Sequence, residues 1–104
     1  MAAPYNPPKK NEDFTCYVAV EDYANPGNFK STPTIAAGDF QVSKDGGAFA
    51  NLTTLPTNEP AASEMIEINL SSTEMNCDNV VVRGKDQTSP KEWVDIIINI
   101  PTTA

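Results

Sequence analysis

The sequence predicts an all-β domain, an antiparallel β-sandwich of six to seven strands with an immunoglobulin-like arrangement and an extended N-terminal arm. Three observations carry this. Short stretches alternate apolar and polar residues with the period of two of a half-buried strand. Turn residues separate these stretches at intervals of roughly 8 to 12 residues. No helical pattern is long enough to cover a sheet, which leaves two antiparallel sheets packed face to face. A small barrel or jelly roll would give much the same pattern, so the connectivity stays open. With 104 residues, 39% of them hydrophobic and 20% charged, the chain supports one folded core.

Residues 1–12 contain Pro4, Pro7, Pro8 and Asn11 and almost nothing to bury, so they are expected to form an extended arm outside a sandwich spanning 13–104. Phe14, Cys16, Val18 and Val20 alternate with Thr15, Tyr17, Ala19 and Glu21 and mark the first strand. Asn25-Pro26-Gly27-Asn28 is a turn, and Phe29 to Ile35, interrupted by Pro33, is expected to be at most a short edge segment. Phe40 and Val42 lead into Lys44-Asp45-Gly46-Gly47, a hairpin signal, with Phe49 and Leu52 on the return.

Asn58 to Ser63 reads as a polar loop, after which Ile66, Ile68 and Leu70 alternate with polar residues as another strand. Ser71-Ser72-Thr73-Glu74 has capping-box spacing, with room for a single helical turn. Val80 and Val82 define the next strand, and Gly84 to Pro90 a polar loop. In the last strand Val94, Ile96, Ile98 and Ile100 face the core and alternate with Trp93, Asp95, Ile97 and Asn99 until Pro101 ends it. The expected core is Phe14, Val18, Phe40, Val42, Ile66, Ile68, Leu70, Val80, Val82 and the four even-numbered residues of that last strand.

A formal charge of −7, with no cluster of Lys or Arg in the body, argues against a nucleic-acid partner. The longest apolar runs fall far below the roughly 18 residues that cross a bilayer, so no membrane span is expected. The N-terminus lacks the basic start, apolar stretch and cleavage site of a signal peptide, so the mature chain is expected to keep it. Cys16 and Cys77 have no metal-type spacing and are expected to be free thiols in a reducing cytoplasm, with one inter-strand disulfide as the alternative.

The chain has no histidine, which removes the commonest general base and the most frequent transition-metal ligand. Asp39, Asp45, Glu59, Glu64, Glu67, Glu74, Asp78 and Asp86 offer carboxylates, but no spacing singles out a catalytic pair, and they are expected to be solvated surface acids. Loops carrying Asp78 or Asp86 lack the alternating acids of an EF-hand. The expectation is therefore a non-enzymatic protein with no catalytic residue, metal or cofactor. Trp93 is expected to pack at a strand start, with a sugar-stacking group of Trp93 with Tyr17 or Tyr23 as the alternative. On the arm, Pro4, Tyr5, Pro7, Pro8, Lys9 and Lys10 are the candidate partner-binding residues: the prolines limit the entropy lost on docking, Tyr5 offers contact area, and the lysines can meet acids on a neighbour.

The segments Asn25-Pro26-Gly27, Ala37 through Phe49, Leu55-Pro56-Thr57, Leu70 through Asn76 and Glu92-Trp93 together resemble small virion structural proteins of tailed bacteriophages, over roughly residues 13 to 100. The resemblance rests on turn and strand chemistry and brings no site motif. It implies a capsid decoration protein made in the host cytoplasm and placed on the outer capsid surface. There the arm and exposed loops would bind the major capsid protein or other virion proteins, and self-association into a homo-oligomer is compatible with that role. A tail, collar or baseplate component is the alternative within the virion, and a carbohydrate-binding module for host attachment the alternative of another class.

Overall fold

In the computed structural model, residues 7–103 are described and form two antiparallel sheets. In chain order the strands are β1 (Phe14–Ala19), β2 (Phe40–Lys44), β3 (Ala50–Asn51), β4 (Thr57–Asn58), β5 (Met65–Leu70), β6 (Asn79–Gly84) and β7 (Ile96–Pro101). One sheet has the order β1-β5-β4 and the other β3-β2-β6-β7. No helix forms among the described residues. The all-β class and the strand number agree with the sequence expectation.

Register follows from the alternation. Phe14, Cys16 and Val18 of β1 lie opposite Leu70, Ile68 and Ile66 of β5, and Val42 lies opposite Val82, which in turn lies opposite Ile98. Each row therefore puts apolar side chains on the inner face together. Phe40, Val42, Ile66, Ile68, Leu70, Val80, Val82 and Ile100 are buried, while Phe14, Val18, Ile96 and Ile98 pack half-buried against them. Val94 is half-buried. The core also takes in Val20, Met75, Cys77 and Trp93, which were absent from the expected set.

Trp93 is the main correction. The periodic reading placed it on the outward face of the last strand, yet its side chain is fully buried and stacks on Phe40 with ring centroids 5.4 Å apart. The strand begins only at Ile96, because residues 92–94 bond to another loop: Asp22 bridges to Trp93, and the Val94 N–H donates to the Glu21 carbonyl at 2.9 Å. With the ladder broken there, strand parity no longer fixes Trp93. Its indole N–H donates to the Thr34 carbonyl at 3.2 Å, which satisfies its polar end.

Two loops complete the comparison. Residues 29–35 stay within the expectation of at most a short edge segment, contributing the single bridge Phe29 to Glu21, since Pro33 has no N–H to give to a ladder and is itself buried. The segment read as a polar loop from Asn58 instead begins in β4, whose Thr57 and Asn58 pair with Glu67 and Ile66.

The turn chemistry is as expected. Asp45 and Gly46 both have positive φ, 51° and 79°, and the Gly47 N–H closes the turn on the Lys44 carbonyl at 2.9 Å, the pattern of a type I′ hairpin turn. The capping box forms reciprocally in one turn: the Ser71 N–H donates to Glu74 Oε1 at 2.8 Å, and the Glu74 N–H to Ser71 Oγ at 3.2 Å. Cys16 and Cys77 are free, and burial raises the pKa of both thiols, with the Asp45 charge adding to the effect at Cys77.

At Gly84 the Phe40 ring and the Ile96 side chain set a steric limit. A Cβ built there would lie 2.8 Å from Phe40 Cε2 and 3.0 Å from Ile96 Cγ1. Gly84→Ala must push the Phe40 ring against Trp93 and should cost about 1–3 kcal/mol, the range for overpacking a filled core. Urea denaturation checks this; an unchanged midpoint would show that the Phe40–Trp93 pair yields freely.

Candidate functional site

The candidate arm residues divide at Pro7. Pro4 and Tyr5 lie outside the described residues, and Pro7 is exposed. From Pro8 the chain is bonded to the body: the Pro8 carbonyl accepts the Thr103 N–H at 2.8 Å, the Lys10 N–H donates to the Thr103 carbonyl at 2.8 Å, and the Asn11 N–H donates to the Met75 carbonyl at 3.1 Å. Lys9 pairs with Thr103 in a parallel bridge. The Lys10 ammonium forms an ion pair with Asp78 of the same chain, and this hydrogen bond and charge raise its pKa. Lys10 is thus engaged within the chain, while Lys9 has no acidic partner among the described residues.

The expectation of solvated acids fails at three positions. Asp39, Glu74 and Asp86 are buried. A carboxyl group removed from water needs hydrogen-bond donors to replace the lost hydration, and backbone amides supply them here. Asp39 accepts the N–H groups of Ala36 at 2.9 Å and Gln87 at 3.1 Å. Glu74 accepts those of Ser71 and, at 2.9 Å, Thr53. Asp86 accepts those of Thr88 at 2.9 Å and Glu92 at 2.7 Å. Among the described residues no buried side-chain oxygen or nitrogen lacks a partner, and no group of three or more Cys, Asp or Glu is placed to hold a metal ion. These acids organise loops.

Two aromatics point the other way. Tyr23 is 56% exposed and Phe29 64% exposed, both within the loop that joins β1 to β2. That loop is held at both ends and in the middle. The Asp22 N–H donates to the Asn28 carbonyl at 2.8 Å, the Lys30 N–H to Val20 at 2.7 Å, and the Tyr23 N–H to Glu92 at 2.9 Å. The Gly27 N–H, at a φ of 93° that suits glycine, reaches Glu21 Oε2 at 3.0 Å. An ordered loop presenting two aromatic surfaces loses little entropy on docking. Phe29 was read only as part of an edge segment; the Asn-Pro-Gly-Asn turn immediately before it is the signal that it sits near a loop tip.

The sugar-stacking group does not assemble, because Trp93 is buried and the Tyr17 hydroxyl donates to Glu67 at 2.8 Å on the outer face of the three-stranded sheet. A groove of about 460 Å³ runs beside Val18, Ala19, Pro60 and Met65, with Glu64 as the carboxylate in its lining. On the outer face of the four-stranded sheet, Asn51, Gln41, Arg83 and Ile97 form one row across β3, β2, β6 and β7. Arg83 donates to Gln41, whose amide donates to Asn51 at 3.0 Å, and the guanidinium lies 3.9 Å over the Phe49 ring. This face carries polar, aromatic and apolar groups.

Comparison with protein families, with curated proteins and with solved structures finds no match to this chain.

The Asp86 loop yields a pH test. Burial raises the Asp86 pKa, but hydrogen bonds from the Thr88 side chain and the backbone of Glu92, Thr88 and Trp93 outweigh it, and the net shift is downward. A carboxyl with a depressed folded pKa stabilises fully above its unfolded value, about 4, and loses that contribution as the pH falls through its lower folded value. Asp86→Asn presents an amide to N–H donors and should cost about 1–3 kcal/mol at neutral pH. The gap from the parent should narrow in acid, which melting curves at several pH values measure; a gap independent of pH would show that the charge is not what holds the loop.

Proposed function

We propose that the chain is a non-enzymatic structural domain of a tailed-phage virion, a capsid decoration protein that binds the capsid lattice through its N-terminal segment and an exposed loop. The virion setting rests on the resemblance of residues 13 to 100. The observation that carries the binding role is the division of labour among side chains. The buried carboxylates are occupied by backbone amides, while Tyr23 and Phe29 are held outward on a bonded loop. Ionisable groups spent on loop structure suit a protein that works by contact rather than by chemistry.

An immunoglobulin-like connectivity is part of this reading. With β1 counted as strand B, the order β1-β5-β4 opposite β3-β2-β6-β7 corresponds to B-E-D against C′-C-F-G, and Pro8 to Lys10 run beside the end of β7. In this arrangement Pro8 to Asn11 form the base of the arm, with Lys9 half-buried there and without an acidic partner among the described residues, and Pro4, Tyr5 and Pro7 contact the neighbouring subunit. Weak contacts repeated over many lattice positions add through multivalency.

The test uses particles lacking the protein and measures occupancy on re-addition. Removing residues 1–6 should lower occupancy and leave the melting temperature unchanged. Removing residues 1–12 should also cost stability, about 0.5–1.5 kcal/mol for each lost backbone hydrogen bond. Tyr23→Ala with Phe29→Ala should lower occupancy without unfolding. Full occupancy by all three variants would defeat the proposal, and density for the chain on the tail would favour a tail, collar or baseplate component instead.

A further inference from the structure

We propose that the pocket formed by Glu21, Gly27, Asn28 and Phe29, on the loop joining β1 to β2, receives an arginine side chain of the partner protein. The proposal rests on the reading of this loop as a contact surface and adds the chemistry of what it contacts.

Backbone pairing builds the pocket. The Asp22 N–H donates to the Asn28 carbonyl and the Lys30 N–H to the Val20 carbonyl, so Glu21 and Phe29 are the narrow, non-hydrogen-bonded pair of an antiparallel bridge. The two side chains of such a pair stand together on one face. Here they are a carboxylate and an aromatic ring. The Gly27 N–H holds Glu21 Oε2 at 3.0 Å, and nothing lies within 4 Å of where a Cβ at Gly27 would be. A hollow of about 250 Å³ remains between these residues, and the Phe29 ring beside it is 64% exposed.

The lining selects a cation. Glu21 forms no ion pair among the described residues. Asp22 beside it and Glu92, whose carbonyl accepts the Tyr23 N–H, bring two further carboxylates to the loop, against Lys30 as the cation of the 21–30 stretch. The whole chain carries −7, so a positively charged surface is drawn to it. Among cations a guanidinium fits best, because its plane can lie on the Phe29 ring while its N–H groups fork onto the Glu21 carboxylate. An ammonium offers only a point charge. The chain already contains this arrangement once: Arg83 lies 3.9 Å over the Phe49 ring and donates to the side-chain oxygen of Gln41. Glu21 and Phe29 supply the same ring and oxygen without the arginine. The pocket opens beside residues 27–29, across the 20–23 stretch from residues 92–94 that lead into β7.

N-acetyl-arginine amide, titrated into the full isotope-labelled chain, should shift the Gly27 and Asn28 amide signals and the Phe29 ring signals. The expected Kd is on the order of 10 mM, the strength of one cation–π contact with one exposed ion pair. The citrulline amide has the same shape without the charge and should bind at least about tenfold more weakly at equal ionic strength. Glu21→Gln keeps an oxygen for the Gly27 N–H but removes the charge, and should weaken the arginine response about fivefold. Phe29→Leu keeps apolar bulk without the ring quadrupole and should weaken it about threefold. Removing residues 1–6 should leave it unchanged. No response to arginine, an equal response to citrulline, a response that survives both substitutions, or one that strengthens once residues 1–6 are removed would each overturn the proposal. Particle re-addition separates this outcome from the contact role itself. If the arginine probe fails while Tyr23→Ala with Phe29→Ala still lowers occupancy, the arginine pocket falls and the contact role of the loop stands. If that double variant occupies particles fully, the contact role falls and the partner's arginine with it.

Discussion

A carboxylate inside a small domain must be surrounded by hydrogen-bond donors, and in this protein the donors are backbone N–H groups of the loops. That requirement shapes much of the molecule. Asp39 draws the 36–39 turn and the 85–87 loop together, Asp86 folds its own loop back as far as Glu92, and Glu74 joins the turn after β5 to Thr53. With so few residues in regular strands, the loops would otherwise have little to fix them. Once residue 92 is placed, Trp93 follows into the core, and the carbonyl of Glu92 is positioned to receive the N–H of Tyr23. The aromatic loop and the buried indole are therefore both downstream of one acid.

Phe40 stands between Trp93 and the Gly84 backbone, so the stack fills the space that a side chain at residue 84 would need. Close packing at this point explains why an otherwise regular strand, β6, ends on glycine where it passes Phe40 and Ile96.

Strands and turns were legible in the sequence because period-two alternation and positive-φ turn residues are local properties. The paired rows of β1 with β5 and of β2, β6 and β7, the Asp45-Gly46 turn and the Ser71–Glu74 box all belong to this group. Trp93 was misplaced because its orientation depends on a bridge to Asp22, about seventy residues away in the chain, which overrides strand parity. The buried acids were misread for a related reason: composition assigns Asp and Glu to the surface, and only the fold brings backbone amides around Asp39 and Asp86. Of the candidate site, the exposed Ile97 was legible from alternation, whereas the outward setting of Phe29 depends on bonds that close its loop.

The thiols have a practical meaning for anyone handling the protein. Nucleophilic attack by cysteine requires the thiolate, and burial raises the pKa of both Cys16 and Cys77, which lowers the thiolate fraction of each. Neither is therefore inviting to a maleimide or to peroxide while the domain stays folded. A cysteine engineered at an exposed position would become the preferred point of chemical attachment for a fluorophore or a gold cluster, without first deleting the native pair.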